Sequence, residues 1–180
     1  MNPLVIIGSH SQWAQETADL FRKHPRCVDF MAVGLDAMVG IDKSISVKYI
    51  VTFHPTDIPM MKPYRTGQEV VISHKSDPYV DLVRKWSGPS GSSSLLGVMA
   101  ALDLGYRKII LCGCPLYGKN QRGRDYNKQY AEGWKYRYEM IKPFCRSMSG
   151  WTLELLGPPT KEWFEDNATE CYAPTPIFPG

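Results

Sequence analysis

Leu4-Val5-Ile6-Ile7 is an unbroken apolar run that stops at Gly8, and runs of this kind return along the chain with helical segments between them. A short apolar run bounded by a turn residue suits a strand buried on both faces. The next such runs are residues 27–33, closed by Gly34; 47–53 (VKYIVTF), ending at His54-Pro55; 69–73 (EVVIS), ending at His74; and 108–112 (KIILC), ending at Gly113. Residues 153–156 (LELL) read as a sixth, before Gly157-Pro158-Pro159. Between the first two runs, Trp13, Thr17, Leu20 and Phe21 fall near helical spacing over residues 12–24, with Ser11 as the expected cap and Pro25 as the stop. Residues 35–44 read as a short helical turn or loop and 55–67 as irregular, while 77–86 read as a short helix opened by Asp77-Pro78. Residues 92–104 are apolar almost all round, which marks a buried helix. Gly97 lets it approach a sheet and Gly105 ends it. A polar, aromatic and basic helix is expected within 124–145, and Thr160 caps a last one through Phe164. Strands alternating with helices predict an α/β fold: a single Rossmann-like domain whose mainly parallel sheet of five or six strands has helices on both faces. The domain is placed at residues 1–170 with a lid at about 116–146, followed by a proline-rich arm at 171–180 (CYAPTPIFPG) that docks on its own domain or on a second subunit of a homo-oligomer.

Composition narrows the functional classes. With 180 residues, 43% apolar and 22% charged, the chain is neither disordered nor fibrous. Its net charge of +3 does not by itself argue for nucleic acid. No apolar run approaches the roughly 20 residues that span a bilayer, so no membrane partner is expected. The first residues lack a basic region and a small-residue cleavage site, and they read as the first core strand instead of an export signal. Cys27, Cys112, Cys114, Cys145 and Cys171 are odd in number and irregular in spacing. They are read as reduced thiols of a cytoplasmic protein, with Cys27 and Cys112 as small buried core residues.

In a doubly wound sheet, ligands bind beyond the carboxyl ends of the strands, where strand order reverses. Four groups of residues are placed there by the reading above. The first is Gly8-Ser9-His10-Ser11-Gln12, where free N–H groups at a helix start favour an anion; the alternative is a simple cap by Ser11. It matches neither the dinucleotide fingerprint nor the phosphate-loop motif. The second is Gly88-Pro89-Ser90-Gly91-Ser92-Ser93-Ser94, which offers close backbone approach, hydroxyls and a helix start, or else a flexible linker. The third is the set of strand-end histidines. Of these, His54 and His74 are the candidates for a catalytic base, although capping roles fit equally. The fourth runs from Leu116 to Arg146, with Gly113, Cys114 and Pro115 just before it. Between Lys119 and Arg146 the local net charge is +5, interleaved with Tyr126, Tyr130, Trp134, Tyr136 and Tyr138, and Tyr117 lies just ahead. A lid over a nucleotide, a solvated basic helix and a single-stranded nucleic-acid surface would all use these residue types. No zinc spacing and no serine nucleophile elbow is present.

The runs Ile6-Ile7-Gly8-Ser9-His10-Ser11, Val51-Thr52-Phe53-His54-Pro55, Gly91-Ser92-Ser93-Ser94-Leu95 and Ala100-Ala101-Leu102-Asp103-Leu104-Gly105-Tyr106 through Gly113 carry a resemblance. Over residues 4–157 the chain resembles the Rossmann-like group that includes archaeal pterin diphosphokinase-like domains and bacterial sialyltransferases using CMP-sialic acid. It is most similar to small single-domain members common in bacteriophage genomes. The resemblance implies a nucleotide or nucleotide-sugar donor held by the first loop and by Ser90 to Ser94. The lid residues Tyr117, Arg122, Arg124, Tyr126 and Tyr130 would then be brought to the phosphates. Three departures stand out: no histidine follows His74, the fifth strand is followed by Gly113-Cys114-Pro115 where relatives carry an acid, and the first loop lacks a second glycine.

Three functions follow as expectations. The leading one is a glycosyltransferase-like enzyme with His54 or His74 as base and Arg122, Arg124 and Tyr126 on the leaving phosphates. A second is a protein that binds or sequesters a nucleotide without turnover. A third is a pterin or nucleotide diphosphotransferase, which would use Mg²⁺ held by carboxylates among Asp36, Asp57 and Asp77.

Overall fold

In β1 (Leu4–Ile7), Leu4 and Ile6 enter one apolar cluster while Val5 and Ile7 enter another, and all four side chains are wholly buried. Only a strand covered by helices on both sides has this pattern. The computed structural model describes residues 1–118 and 129–166. Its strands continue with β2 (Asp29–Val33), β3 (Tyr49–Val51), β4 (Val70–Ser73), β5 (Leu82–Val83), β6 (Ile109–Cys112) and β7 (Cys145–Ser147). They form one sheet in the order β5-β4-β3-β2-β1-β6-β7, and every pairing is parallel. The fold is therefore the expected α/β, Rossmann-like one. Among the described residues it has seven strands, not five or six.

On one face lie α3 (Ser92–Asp103), α4 (Tyr130–Ile141) and α5 (Gly150–Leu156). On the other lie α1 (Trp13–Lys23), α2 (Gly34–Ile41), a 3₁₀ segment (Pro55–Tyr64) and α6 (Lys161–Phe164). Thr160 caps α6 by accepting the Trp163 N–H. The sheet grows from β1 to β5 in one direction, and α3 then carries the chain back to place β6 on the other side of β1. Gly97 makes that crossover close: a Cβ there would lie 3.0 Å from both Met31 Sδ and Val51 Cγ1. The reversal of strand order falls between β1 and β6, and the site is sought there.

Several elements differ from the sequence reading. Residues 77–86 do not form a helix. They turn and then place the two-residue β5 on the edge of β4, with the Arg84 N–H donating to Ser73 O. Residues 153–156 belong to α5, because Leu153 N–H reaches back to Ser149 O at 2.7 Å. The outer strand is instead Cys145-Arg146-Ser147, which has no apolar signature. The segment after β2 is a full helix, and the residues after Pro55 wind into 3₁₀ turns.

Cys27 is exposed, ahead of β2, and is not a core residue. Cys112, Cys114 and Cys145 are buried free thiols. Burial pushes the thiols of Cys112 and Cys145 up to about 12 and raises that of Cys114 well above its ordinary value, so all three stay protonated. Among the described residues no helix is long and apolar enough to cross a membrane. Arg122, Arg124, Tyr126, Cys171 and the arm at 171–180 lie outside the described residues.

Candidate functional site

The strands end in small residues, and those ends surround a cavity of about 250 Å³. Gly8 and Ser9 follow β1, and Gly113 and Cys114 follow β6. Gly8 is required by the close approach of these two turns. A Cβ there would sit 2.3 Å from Gly113 O and 2.5 Å from Cys114 Sγ. Val33, Gly34, Leu35 and Asp36 add the end of β2, Thr52 and His54 the end of β3, and Asp57 the 3₁₀ segment. Ser92, Ser93 and Ser94 bring the amino end of α3 into the same cavity, and Leu116 and Tyr130 close it from the lid side.

Neither helix start near the rim has a side-chain cap. At α1, His10 Nδ1 accepts the Gln12 N–H at 3.1 Å and His10 O accepts the Trp13 N–H at 3.2 Å. The ring so holds the residue ahead of α1, and Ser11, the expected cap, does not cap the helix. His10, Ser11 and Gln12 do not line the cavity. At α3 the N-cap is Gly91, no side chain caps the helix, and the Ser92 N–H reaches back to Ser90 Oγ at 3.3 Å. Ser92 adopts φ +81° and shares a 2.5 Å hydrogen bond with Ser94 between their hydroxyls. The Ser93 hydroxyl accepts the Phe53 N–H at 3.0 Å, which ties α3 to the end of β3. Left-handed backbone at a serine is costly by about 1 to 3 kcal/mol, and such residues gather at ligand sites. Leu116, also on the cavity wall, takes φ +59°.

The turn before α3 is not a loose linker. Arg137 of α4 donates to Ser87 O at 2.5 Å and to Pro89 O at 3.4 Å, and its guanidinium lies 4.2 Å from the Trp86 ring centre. Gly133 lets α4 reach that turn: a Cβ there would fall 2.4 Å from Gly91 N. So Arg137, one of the basic lid residues, is buried as a brace for the turn. Ser90 and Gly91 belong to the braced turn and stand outside the cavity, as do Pro115 and the exposed Tyr117.

The two candidate bases are also separated. His54 is exposed and lines the cavity, with its N–H on Thr52 Oγ1 at 2.9 Å. His74 does not line it; its ring packs 5.0 Å from Phe53. Burial, then Lys75, then His54 hold the His74 imidazole below its ordinary value, which favours a neutral ring at neutral pH.

Asp36 and Asp57 are the carboxylates on the described cavity wall; Asp77 is not on it. None of the described lining residues is a lysine or arginine. Negative charge in a ligand would thus meet the α3 amino end, while Asp36 and Asp57 would accept from hydroxyl or amino groups. Among the described residues no cluster of three metal-ligating side chains exists, so Asp36 and Asp57 alone would meet a cation brought in by a phosphate. The carboxylates after β2 and β3 were visible in the sequence as strand-end acids. The roles of Thr52 and Leu116 carry no sequence signal. The chain matches no family model, no curated protein and no solved structure in the comparisons made.

Proposed function

We propose that the protein binds a nucleotide or nucleotide-sugar at this rim and acts as a transferase, with glycosyl transfer as its chemistry. One observation carries the reading. The uncapped amino end of a twelve-residue helix and the acid beyond β2 open into one cavity at the reversal of strand order. Helix N–H groups suit a phosphate, and a carboxylate suits ribose or sugar hydroxyls. His54 is the base of this reading, because it is the histidine on the cavity wall. At about 250 Å³ the cavity lies just below the roughly 300–1,000 Å³ usual for ligand pockets, which suits a small ligand better than a long polymer.

A second reading, nucleotide binding without turnover, is favoured by the placement of His74 outside the cavity, which leaves a single imidazole there. The Asp36 and Asp57 pair keeps a Mg²⁺-dependent diphosphotransferase as the third. Thermal shift against nucleotides and nucleotide-sugars, followed by mass spectrometry of the mixtures, separates them. A ligand bound only by the native state must raise its melting temperature. The transferase reading expects stabilisation with product formation, and His54→Ala keeps the first and loses the second. Stabilisation without product assigns the binder, and no stabilisation by any member of the panel refutes all three.

A further inference from the structure

Glu16 lies in the first turn of α1, yet its carboxylate serves another part of the molecule. Its Oε2 accepts the Gly113 N–H at 2.7 Å and also the hydroxyl of Ser149. The Ser149 oxygen in turn accepts the Cys114 N–H at 3.2 Å. Thr152 secures the same turn from below by donating to Cys114 O at 2.8 Å. Both amide groups of the turn after β6 are therefore held, directly or through one hydroxyl, by a side chain 97 positions away in sequence. Gly113 and Cys114 line the cavity, whereas Glu16 does not. The turn is also wedged against Gly8, so movement of one shifts the other.

Burial raises the Glu16 carboxyl above its ordinary value, with Asp19 adding to it and Ser149, Gly113 and His10 working the other way. The groups facing it from β6 are the protonated thiols of Cys112 and Cys114, and α5 presents the neutral Ser149. A raised carboxyl contributes stability that is present below the ordinary glutamate range and is lost as pH rises through the raised value. Ionising this buried carboxyl thus costs stability, which is the pattern of a residue kept for a site.

We propose that Glu16 is a positioning residue of the site: it latches the Gly113-Cys114 turn against Gly8 and so holds the cavity wall in the shape that receives the ligand. The proposal rests on the reading of the cavity as a nucleotide site, but its first test needs no ligand. In a Cys27→Ser background, iodoacetamide labelling is followed residue by residue by peptide mass spectrometry, comparing Cys114 with Cys145. Opening of the whole core exposes both thiols, and release of the turn exposes Cys114 alone. Glu16→Ala is expected to label Cys114 about tenfold faster, the loss of one charge-assisted hydrogen bond, with Cys145 unchanged. Glu16→Gln keeps an acceptor for the Gly113 N–H and is expected to restore most of the protection. Ser149→Ala, which removes the second link only, gives the same selective opening and serves if Glu16→Ala does not fold. Cys114 as protected as in the parent, or Cys114 and Cys145 opening together, overturns the latch. The second test is thermal shift with ADP, CDP, GDP and UDP, where Glu16→Ala is expected to weaken binding about tenfold. If none of the four stabilises the parent while Cys114 still opens selectively, the latch stands and the nucleotide reading alone fails.

Discussion

Where the strands begin, the Tyr106 hydroxyl donates to Asp29 at 2.5 Å and meets that of Tyr49 at 3.3 Å, while Lys48 pairs with Asp29 at 3.4 Å. Beside them Glu69 accepts the N–H groups of Thr66 at 2.7 Å and Gly67 at 3.0 Å. Trp163 closes the far side under Lys108 and Arg146, with its ring N–H on Pro143 O. Where the same strands finish, glycine and serine replace these side chains, the backbone turns left-handed at Ser92 and Leu116, and a cavity remains. One end of the sheet spends its polar groups on each other, and the other keeps a helix start uncapped. The difference teaches where to look for function: the closed end uses its polar groups for stability, and the open one leaves a cavity for a ligand.

Trp163→Ala should separate the two ends most strongly. Trp163 is 5% exposed, and loss of a buried tryptophan costs about 3 to 5 kcal/mol. Urea unfolding should show that loss, with ligand affinity in the remaining folded protein unchanged. Tyr106→Phe leaves Asp29 short of a donor and should cost about 1 to 3 kcal/mol, again without touching the cavity. A change in affinity with either variant would break the separation.

Acid sharpens the same contrast. Burial pushes Asp29 up, but Tyr106, Asn2 and Lys48 outweigh it and hold the carboxyl below its ordinary value. Glu69 is likewise held low by the donors of Thr66 and Gly67 against its own burial. Both contribute stability that is present above the ordinary carboxyl values of 3.8 and 4.5 and is lost as pH falls through the folded values. Acid unfolding monitored by circular dichroism should therefore begin below about pH 4.5, and Tyr106→Phe should move its midpoint upward. The smallest effect is expected at the open end, and with the opposite sign. Ser92→Gly relieves the left-handed backbone and should raise stability by about 1 kcal/mol or less while weakening ligand binding. A Ser92→Gly protein that is less stable would show that no strain is stored there.

Most of the fold was legible because burial on two faces leaves a local mark. The run Leu4-Val5-Ile6-Ile7 and the all-round apolar helix from Ser92 could hardly be read otherwise. The errors fall where tertiary contacts decide. Leu153-Glu154-Leu155-Leu156 looks like a strand but is helical, with Leu155 and Leu156 packed on one face of the sheet. Cys145-Arg146-Ser147 looks like nothing and is a strand, because it borrows its ladder from β6. At the rim, the serines of α3 were visible as a helix start beside glycine. The hydrogen bond from the Gln12 N–H to His10 was not, because it depends on where one histidine ring points. Glu16 was equally invisible: its partners Gly113 and Ser149 are brought to it by the sheet and not by spacing.

The central claim is that ligand binds at the finishing ends of the strands, between β1, β6 and the start of α3. Backbone amide resonances recorded with and without saturating nucleoside diphosphate test it most directly. The account predicts the largest perturbations at Gly8, Ser9, Ser92 to Ser94, Gly113 and Cys114, with Asp29, Glu69 and Tyr106 unmoved. Perturbations centred on those last three residues, with the α3 start unmoved, would contradict it.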